Sequence, residues 1–530
     1  MVVPVLLQVI APLCLGVILH LGLFIRGEWH LHAASIFLAH LLAFTLLIAK
    51  QLVSAPATWY EAALIPFLVY LCGLLVSISV YRLYFHRLRS FPGPRLAALS
   101  KIWHVWLSRD SRSHLVLESW RQQYGTFVRT GPSEITIFHP AALEWLDGPL
   151  NRNIRSDWYD LLYPSIQVFS RDPALQVARR KVWDKAMSLS SMKQYYKRIT
   201  THVLGLESII SAQKSKPIVI NDLLYQSTFD VLNDIGFGMT DIEAKHGASV
   251  MESSMDLLGP INPMPWILGI GFVLFPGVWK IPHWFKFIEL IGSIVEKRIK
   301  SKHESVDIAS FFIEDAQRKD ADKNSRAAVA GDSGVLLIAG STTGPTLILL
   351  LYCLVRWPEH AEKIRQELRN VDYNDMAALS ALPHLTATIN ETLRLYPGGP
   401  TFGSRKTPPE GLDCDGVHIP GDIKVVAPRY SLGRLEEAYE APHEFIPERW
   451  YSKPELVKDK RAFAPFAMGR NSCAGKKIGM SQMRLTVAIL LSKYSISFAP
   501  GTSDELLVEK DMKDQITAVP GKLELVFKEL

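Results

Sequence analysis

Three apolar stretches crowd the first ninety residues, at about Val3 to Ile25, Ala33 to Ala49 and Ala62 to Phe85. The first and third are long enough, at about 20 residues or more, to cross a bilayer core as helices, and the second sits at the short end of that range. Three spans are predicted, the middle one shortest. Their length disfavours the alternative, buried helices of a large soluble fold. Residues 1–90 carry five Lys/Arg (Arg26, Lys50, Arg82, Arg87, Arg89) and two acids, Glu28 and Glu61. Met1-Val2-Val3-Pro4 offers no basic start of the kind a cleaved secretory signal has, so the segment is expected to stay attached. Lys and Arg beside a span tend to remain cytoplasmic, and the cluster Arg82, Arg87, Arg89 next to His86 follows the third stretch. The large C-terminal part then faces the cytosol and the N-terminus lies across the membrane. Arg26 falls in a short cytosolic loop, while Lys50 runs weakly against the rule.

Phe91-Pro92-Gly93-Pro94-Arg95 comes next, two prolines that fix φ around a glycine that permits a sharp bend. It reads as a stiff hinge over residues 91–95, between a membrane anchor (1–90) and a single large domain (96–530). No Pro/Gly/Ser-rich linker or tandem repeat divides that domain. Its residues hold nearly all of the 58 basic and 52 acidic side chains, so the surface is close to balanced. Such balance argues against nucleic acid bound through counterion release. Five cysteines (Cys14, Cys72, Cys353, Cys414, Cys473) lie far apart, which supports neither a disulfide framework nor a multi-thiolate cluster. A site built on one thiolate remains open.

Helical periodicity runs through Arg179 to Met187, Asp222 to Ile235, Phe285 to Lys302, Pro358 to Arg369, Leu385 to Leu395 and Lys476 to Tyr494. Short strand-like pieces at Phe127 to Arg129, Ile135 to Phe138 and Lys522 to Phe527 are bounded by Gly, Pro or Asp. The fold class is mainly α with small β-sheets. The run Val335 to Val355 is long enough for a fourth span, but Gly340-Ser341-Thr342-Thr343-Gly344-Pro345 would put polar and helix-breaking groups at the bilayer centre. A helix through a protein core is expected instead, where this interruption either leaves room for a ligand or is a small-residue packing notch.

The loop Ala464 to Gly475 contains F-x-x-G-x-x-x-C-x-G, formed by Phe466, Gly469, Cys473 and Gly475, with a helical pattern from Lys476. A cysteine just ahead of a helix N-terminus feels the positive end of the dipole, which favours thiolate. Gly469 and Gly475 let backbone approach a flat cofactor, and Phe466 can shield the sulfur from water.

This loop resembles the haem-binding loop of the cytochrome P450 family of haem-thiolate monooxygenases. Glu391 and Arg394 resemble the family's E-x-x-R helix, and Pro447-Glu448-Arg449-Trp450 resembles a later element whose arginine completes a triad. The resemblance implies a cytochrome P450 fold behind N-terminal transmembrane helices, haem b held through iron by the Cys473 thiolate, and a core locked by Glu391, Arg394 and Arg449. It assigns Arg180 and Arg405 to the haem propionates. The anchor and hinge fit microsomal members, and the three-span start is similar to certain fungal biosynthetic members.

Three departures stand out. Asn471 occupies a position where many members place a propionate-binding arginine, with Arg470 one residue earlier. Gln176 stands where related fungal sequences often have a histidine. The distal helix lacks the usual acid: counted from Trp357-Pro358, Thr342 and Thr343 take the two threonine positions, whereas counted from Ala339-Gly340, Thr343 takes the first. Ser341, the hydroxyls of Thr342 and Thr343 as catalytic residues, or ordered water would then move protons.

The implied activity is insertion of one oxygen atom into a lipophilic small molecule, a secondary metabolite of terpenoid or alkaloid class. Electrons would come from NADPH through the NADPH-cytochrome P450 reductase, with cytochrome b5 as a further donor, at the endoplasmic reticulum membrane. Lys476 and Lys477 are candidate docking cations for an acidic redox partner. Ala339 to Thr343 and Gly398 to Ser404 would line the substrate pocket. Alternatives are a haem-thiolate isomerase or dehydratase, or multi-step oxidase, acting on an oxygenated substrate and, remotely, a non-catalytic membrane transport or scaffold protein.

Overall fold

The computed structural model describes residues 9–54, 57–162, 166–239, 243–301, 306–318, 323–501 and 506–530. The first apolar stretch forms the helix Ala11–Leu19, which runs into a π-helical turn at His20–Phe24; the stretch's start lies outside the described residues. The second and third form helices that, with their flanking turns, extend over His30–Ser54 and Trp59–Phe85, 25 and 27 residues. Both suffice for a hydrocarbon core about 30 Å thick. The middle stretch is therefore long enough for a span, because the helix continues through Lys50 to Ser54. The first and third helices pack through glycines, because a Cβ on Gly16 would lie 2.3 Å from the Tyr70 carbonyl and one on Gly73 2.5 Å from that of Leu13. Close approach of this kind replaces the hydrophobic effect as the source of helix pairing in lipid.

The residues read as a hinge are fastened down. The Arg129 amide donates to the Pro92 carbonyl at 2.7 Å. A Cβ on Gly93, whose φ is +158°, would lie 2.4 Å from the Arg129 carbonyl. Leu88, just before it, is fully buried in the domain core.

The domain is mainly helical, with small sheets. A five-stranded sheet runs in the order Phe127–Gly131, Glu134–Ile137, Lys424–Val426, Arg405–Lys406 and Ile154–Arg155. The periodic segments are the helices Pro173–Ala186, Ile220–Phe237, Ile281–Lys300, Pro358–Leu368, Pro383–Leu395 and Lys476–Lys493. The apolar run of residues 335–355 lies in a long helical stretch, Arg326–Arg356, with the length and hydropathy of a span, yet its apolar window is 67% buried within the protein. It consists of the helices Lys323–Gly340 and Thr343–Arg356, interrupted at Ser341 and Thr342. Its second half is buried on all sides, because Leu347 to Leu351 pack into the main core together with the helices Leu189–Ser211 and Lys476–Lys493.

One buried carboxylate ties this core together. Glu391 is completely buried. It accepts from Arg394 Nε at 2.9 Å and Nη2 at 2.8 Å, Arg449 Nε at 3.0 Å, Trp450 Nε1 at 2.9 Å and the Ile446 amide at 2.9 Å. The two guanidiniums spend their remaining donors on carbonyls, Arg394 on Gly433, Pro442 and Glu444, and Arg449 on Glu440, Leu456 and Ala441. Glu391→Gln would keep the volume but leave two buried cations without a counter-charge. Breaking a buried pair from one side costs about 3–5 kcal/mol. The variant is expected to lose several degrees of Tm or to fail to accumulate folded; thermal unfolding of the purified chain measures this, and an unchanged Tm refutes the role.

Candidate active site

Cys473 ends a loop that is shaped by its own backbone and delivers the sulfur to a helix start. Its amide donates to the Phe466 carbonyl at 2.7 Å, and Gly475 is the N-cap of the helix Lys476–Lys493. Gly469 adopts φ +56°, and a Cβ there would lie 2.3 Å from the Asp147 carbonyl. Its need for glycine thus comes from the protein backbone. Gly475 differs, since a Cβ there would meet only Cys473 Sγ, at 3.9 Å. Phe466 is partly buried against the main core, and the Lys476 ammonium lies 5.6 Å from its ring centre.

The thiol is accessible on one side yet densely surrounded on the others. Burial pushes it up, while the Gly475 and Lys476 amides and the Arg180 and Lys476 charges pull it down. Burial wins, so the helix dipole alone does not make a thiolate. A bound cation does, because a coordinating thiol is deprotonated outright.

Around this loop the domain gathers more positive than negative charge. Arg155 on the edge strand and Arg405 on its antiparallel neighbour face each other, an arrangement that like charges disfavour. Asp147 relieves part of it, accepting from Arg405 Nε at 2.6 Å and Nη2 at 3.0 Å, while Tyr159 OH accepts from Arg405 Nη1 at 3.0 Å. Arg155 lies 5.1 Å from the Tyr159 ring centre and 4.9 Å from that of Phe169, and burial lowers its pKa to about 10. The Nε atoms of Arg155 and Arg470 are buried without a partner. Arg180 reaches the cysteine loop, donating to the Ser472 carbonyl, and pairs with Asp184 at 2.7 Å.

Asn471 links these groups. Its Oδ1 accepts from Gln176 Nε2 at 2.8 Å and from Arg155 Nη2 at 3.2 Å, and its Nδ2 donates to Asp147 Oδ1 at 2.9 Å. The two departures at Gln176 and Asn471 therefore fit one another. Arg470 turns to the Asn153 carbonyl. Haem fits this donor set: one accessible thiol, unpaired guanidinium N–H groups, and a cationic excess suited to carboxylates.

Midway along its course the long helix opens. Ala339 is exposed and residues 340–343 are half-buried inside an otherwise buried stretch. Ser341 Oγ donates to the Ile338 carbonyl at 2.7 Å, and Thr342 Oγ1 donates to that of Ala339. A Cβ on Gly398 would lie 3.9 Å from Thr342 Cγ2 and 3.8 Å from Thr346 Oγ1, whereas one on Gly479 would lie 3.6 Å from Thr343 Oγ1. Thr342 thus faces the Gly398 wall, and Thr343 faces the helix that follows Cys473. Arg179, beside Arg180, is buried and pairs with Asp332 on the same long helix. Burial raises the Asp332 carboxyl to about 6 despite that partner.

Asp147, Arg155 and Asp514 escaped the sequence reading. Asp514 Oδ1 accepts from Asn262 Nδ2 at 3.0 Å, and its Oδ2 lies 2.6 Å from Thr401 Oγ1, so it fastens two distant segments to the wall at 398–404. Burial pushes this carboxyl up to about 7, against the pull of those hydrogen bonds. A cavity of about 1210 Å³ lies elsewhere, between the anchor helices and the domain, lined by His20, Phe37, Phe67, Arg82, Lys101 and Met264 among others. Cys473 is not among its lining residues.

A family model described as cytochrome P450 matches residues 92–527. The chain is 33% identical over 513 residues to the cytochrome P450 monooxygenase notG' of Aspergillus versicolor, covering 93% of each. It is 32% identical over 517 residues to the tryprostatin B 6-hydroxylase of Aspergillus fumigatus, covering 92% of this chain and 90% of that one. Among solved structures, the cytochrome P450DA haem domain matches with a TM-score of 0.65 at 17% identity, over 79% of this chain and 94% of its own, a likeness of fold.

Between about pH 4 and 7 the unfolded chain has lost the Asp514 proton that the folded chain still holds. Stability contributed there falls as pH rises through that window and is level above it. Asp514→Asn is expected to raise Tm more at about pH 8 than at about pH 5 in thermal scans, and an equal shift at both refutes the assignment.

Proposed function

The chain belongs to the cytochrome P450 family and is a haem-thiolate monooxygenase, and from that premise we propose that it hydroxylates or epoxidises a lipophilic secondary metabolite, terpenoid or prenylated alkaloid in class, using NADPH electrons delivered by a flavoprotein reductase. One observation carries the reading: the accessible Cys473 thiol at the start of a buried helix, beside a guanidinium cluster richer in charge than its acids. When bound, haem supplies the activation of dioxygen, chemistry that no side chain performs. One oxygen atom goes to substrate and the other to water, at the cost of two electrons and two protons.

The residues divide the remaining work. Cys473 would ligate the haem iron, and the Gly475 and Lys476 amides with the Arg180 charge support negative charge on its sulfur. Arg155, Arg180, Arg405 and Arg470 would hold the haem's carboxylates. The acid missing from the distal helix leaves proton delivery to hydroxyls. Those of Ser341 and Thr342 rest on their own helix carbonyls, so each keeps lone pairs with which to accept a proton and can rotate to pass one on. Gly398 and Gly399 keep the opposite wall short, and Asn262, Thr401 and Asp514 hold it in place. Lys476 and Lys477 lie exposed beside the thiolate, where an acidic redox partner would dock.

The membrane reading gains support from a clasp of charges. Glu28, between the first and second anchor helices, pairs with Arg171 at 2.5 Å and Lys406 at 2.9 Å, and His30 lies 2.6 Å from Asp160. Burial opposes the Glu28 charge, but Arg171 and Lys406 hold its carboxyl down to about 2. That loop therefore shares a side of the membrane with the domain. Helices two and three then form a hairpin across the bilayer, and helix one enters from the far, lumenal side of the endoplasmic reticulum. The short helix Ile267–Leu274 packs on the second anchor helix, with Val273, Phe275, Val278 and Trp279 exposed beside it for the lipid surface.

Membranes holding the chain and a reductase, given candidate metabolites under heavy dioxygen, are expected to yield product heavier by one labelled oxygen. Product lacking label would favour an isomerase or dehydratase. Cys473→Ser is expected to abolish both turnover and the strongly red-shifted band of the reduced carbon monoxide adduct. A glycosylation acceptor fused to the N-terminus is expected to be modified and one at the C-terminus left unmodified; the reverse pattern overturns the topology.

A further inference from the structure

Away from the thiolate, three side chains with no part in the chemistry above converge. His360 comes from the helix Pro358–Leu368, His384 from the first turn of Pro383–Leu395, and Glu448 from the turn Pro447–Trp450. His360 Nδ1 lies 3.2 Å from His384 Nε2 and 3.9 Å from Glu448 Oε1. The donor atoms all fall within 4.8 Å of one another, both histidines are buried, and Glu448 is half-buried.

The outer partners decide what the facing nitrogens carry. The facing nitrogens of His360 and His384 are hydrogen-bonded to each other, so without a cation one proton lies between them. His384 Nδ1 lies 3.0 Å from the Tyr451 hydroxyl, and donating there leaves a lone pair on Nε2, with His360 Nδ1 as the donor of the pair. A cation arriving at this point would send that proton to the other nitrogen of the His360 ring, and two lone pairs and a carboxylate would then face it. Histidine ligands of metals are oriented by outer hydrogen bonds of this kind. Tetrahedral zinc with Zn–N bonds of about 2.0–2.1 Å needs its nitrogens about 3.3–3.4 Å apart, near the observed 3.2 Å, and the carboxylate would move inward toward both rings on binding. Lys363 now pairs with Glu448 at 2.5 Å from a half-exposed position, so it can swing into water when a cation arrives.

We propose that His360, His384 and Glu448 form a binding site for a divalent first-row transition ion, zinc in the cell, with water as its fourth ligand. Two imidazoles and a carboxylate are a ligand set suited to that ion. The site is structural. It would join the helix that carries Glu391 and Arg394 to the turn that carries Arg449, bracing from outside the joint that the buried carboxylate holds from within.

The test uses full-length, tag-free haem protein in detergent, stripped with a chelator, dialysed against zinc and analysed for metal. The expected result is one zinc per chain retained beyond the haem iron, with nitrogen and oxygen neighbours in the zinc-edge absorption spectrum and a higher Tm on zinc addition. His384→Gln and Glu448→Gln are expected to weaken zinc binding more than tenfold, while His418→Ala, at an exposed histidine elsewhere, leaves it unchanged. If a variant fails to fold, the neighbours seen in the wild-type spectrum still decide. No retained zinc, zinc with sulfur neighbours, or equal retention in the Gln variants overturns the site.

Discussion

A fully buried carboxylate that accepts five hydrogen bonds is the fixed point of this domain. Glu391 is held in place by two guanidiniums and an indole, and it could not be ionised there without them. Because Arg394 comes from the same helix and Arg449 from a turn 58 residues beyond Glu391, the cluster dictates where the following chain begins its approach to Cys473. Its net charge of one cation is absorbed by backbone carbonyls of residues 433–456. The loop carrying the thiol therefore hangs from a cluster that does not tolerate the loss of its acid.

The second charge imbalance has the opposite character. Around Asn471 the arginines are not fully neutralised by protein: Asp147 serves Arg405, Tyr159 and Phe169 cover Arg155, and two guanidinium nitrogens stay unpaired. Buried charge left in this state costs free energy unless a ligand completes it. A structural ion cluster would have had its donors filled by groups of the protein itself, as at Glu391. This one is left open beside an accessible sulfur. The contrast separates a site that folds the chain from one that binds a group.

Much of this was legible in the sequence because it is local. The six periodic segments are helices within a few residues of their expected bounds, since a 3.6-residue apolar repeat needs no knowledge of partners. Glu391 and Arg394 are three residues apart on one helix face, and the cysteine motif lies within ten residues. Long-range juxtapositions were not legible. Arg155 meets Arg405 through a strand register across 250 residues, and Asp147 meets Asn471 across 324. Asp514 looks like any loop acid until Asn262 and Thr401 close on it. The full length of the second apolar helix was obscured because Lys50 appeared to end it, although a long lysine stem near a helix end can reach the interface. That the stiff hinge at 91–95 is pinned to the domain was not legible either, because the strand that pins it lies more than thirty residues on.

The anchor and the catalytic domain are one physical system rather than a tether and its cargo. A flexible tether would leave Glu28 and His30 in water, where exposed ion pairs contribute little. Here Glu28, His30, Asp160, Arg171 and Lys406 form a partly buried network, and Lys406 sits on the same two-residue strand as Arg405. The strand that presents one guanidinium to the cofactor side thus presents the next residue to the membrane loop. This coupling ties the anchor helices to the domain's surface. The 1210 Å³ cavity is walled by anchor helices on one side and by Lys101, Glu134 and Lys424 on the other. A smaller pocket shares Lys101, Glu134, Pro263 and Lys424 with that cavity and reaches Thr401, Gly403 and Ser404. The anchor helices therefore close one wall of a space whose other wall borders residues 401–404, and they complete the domain's surface as well as tethering it.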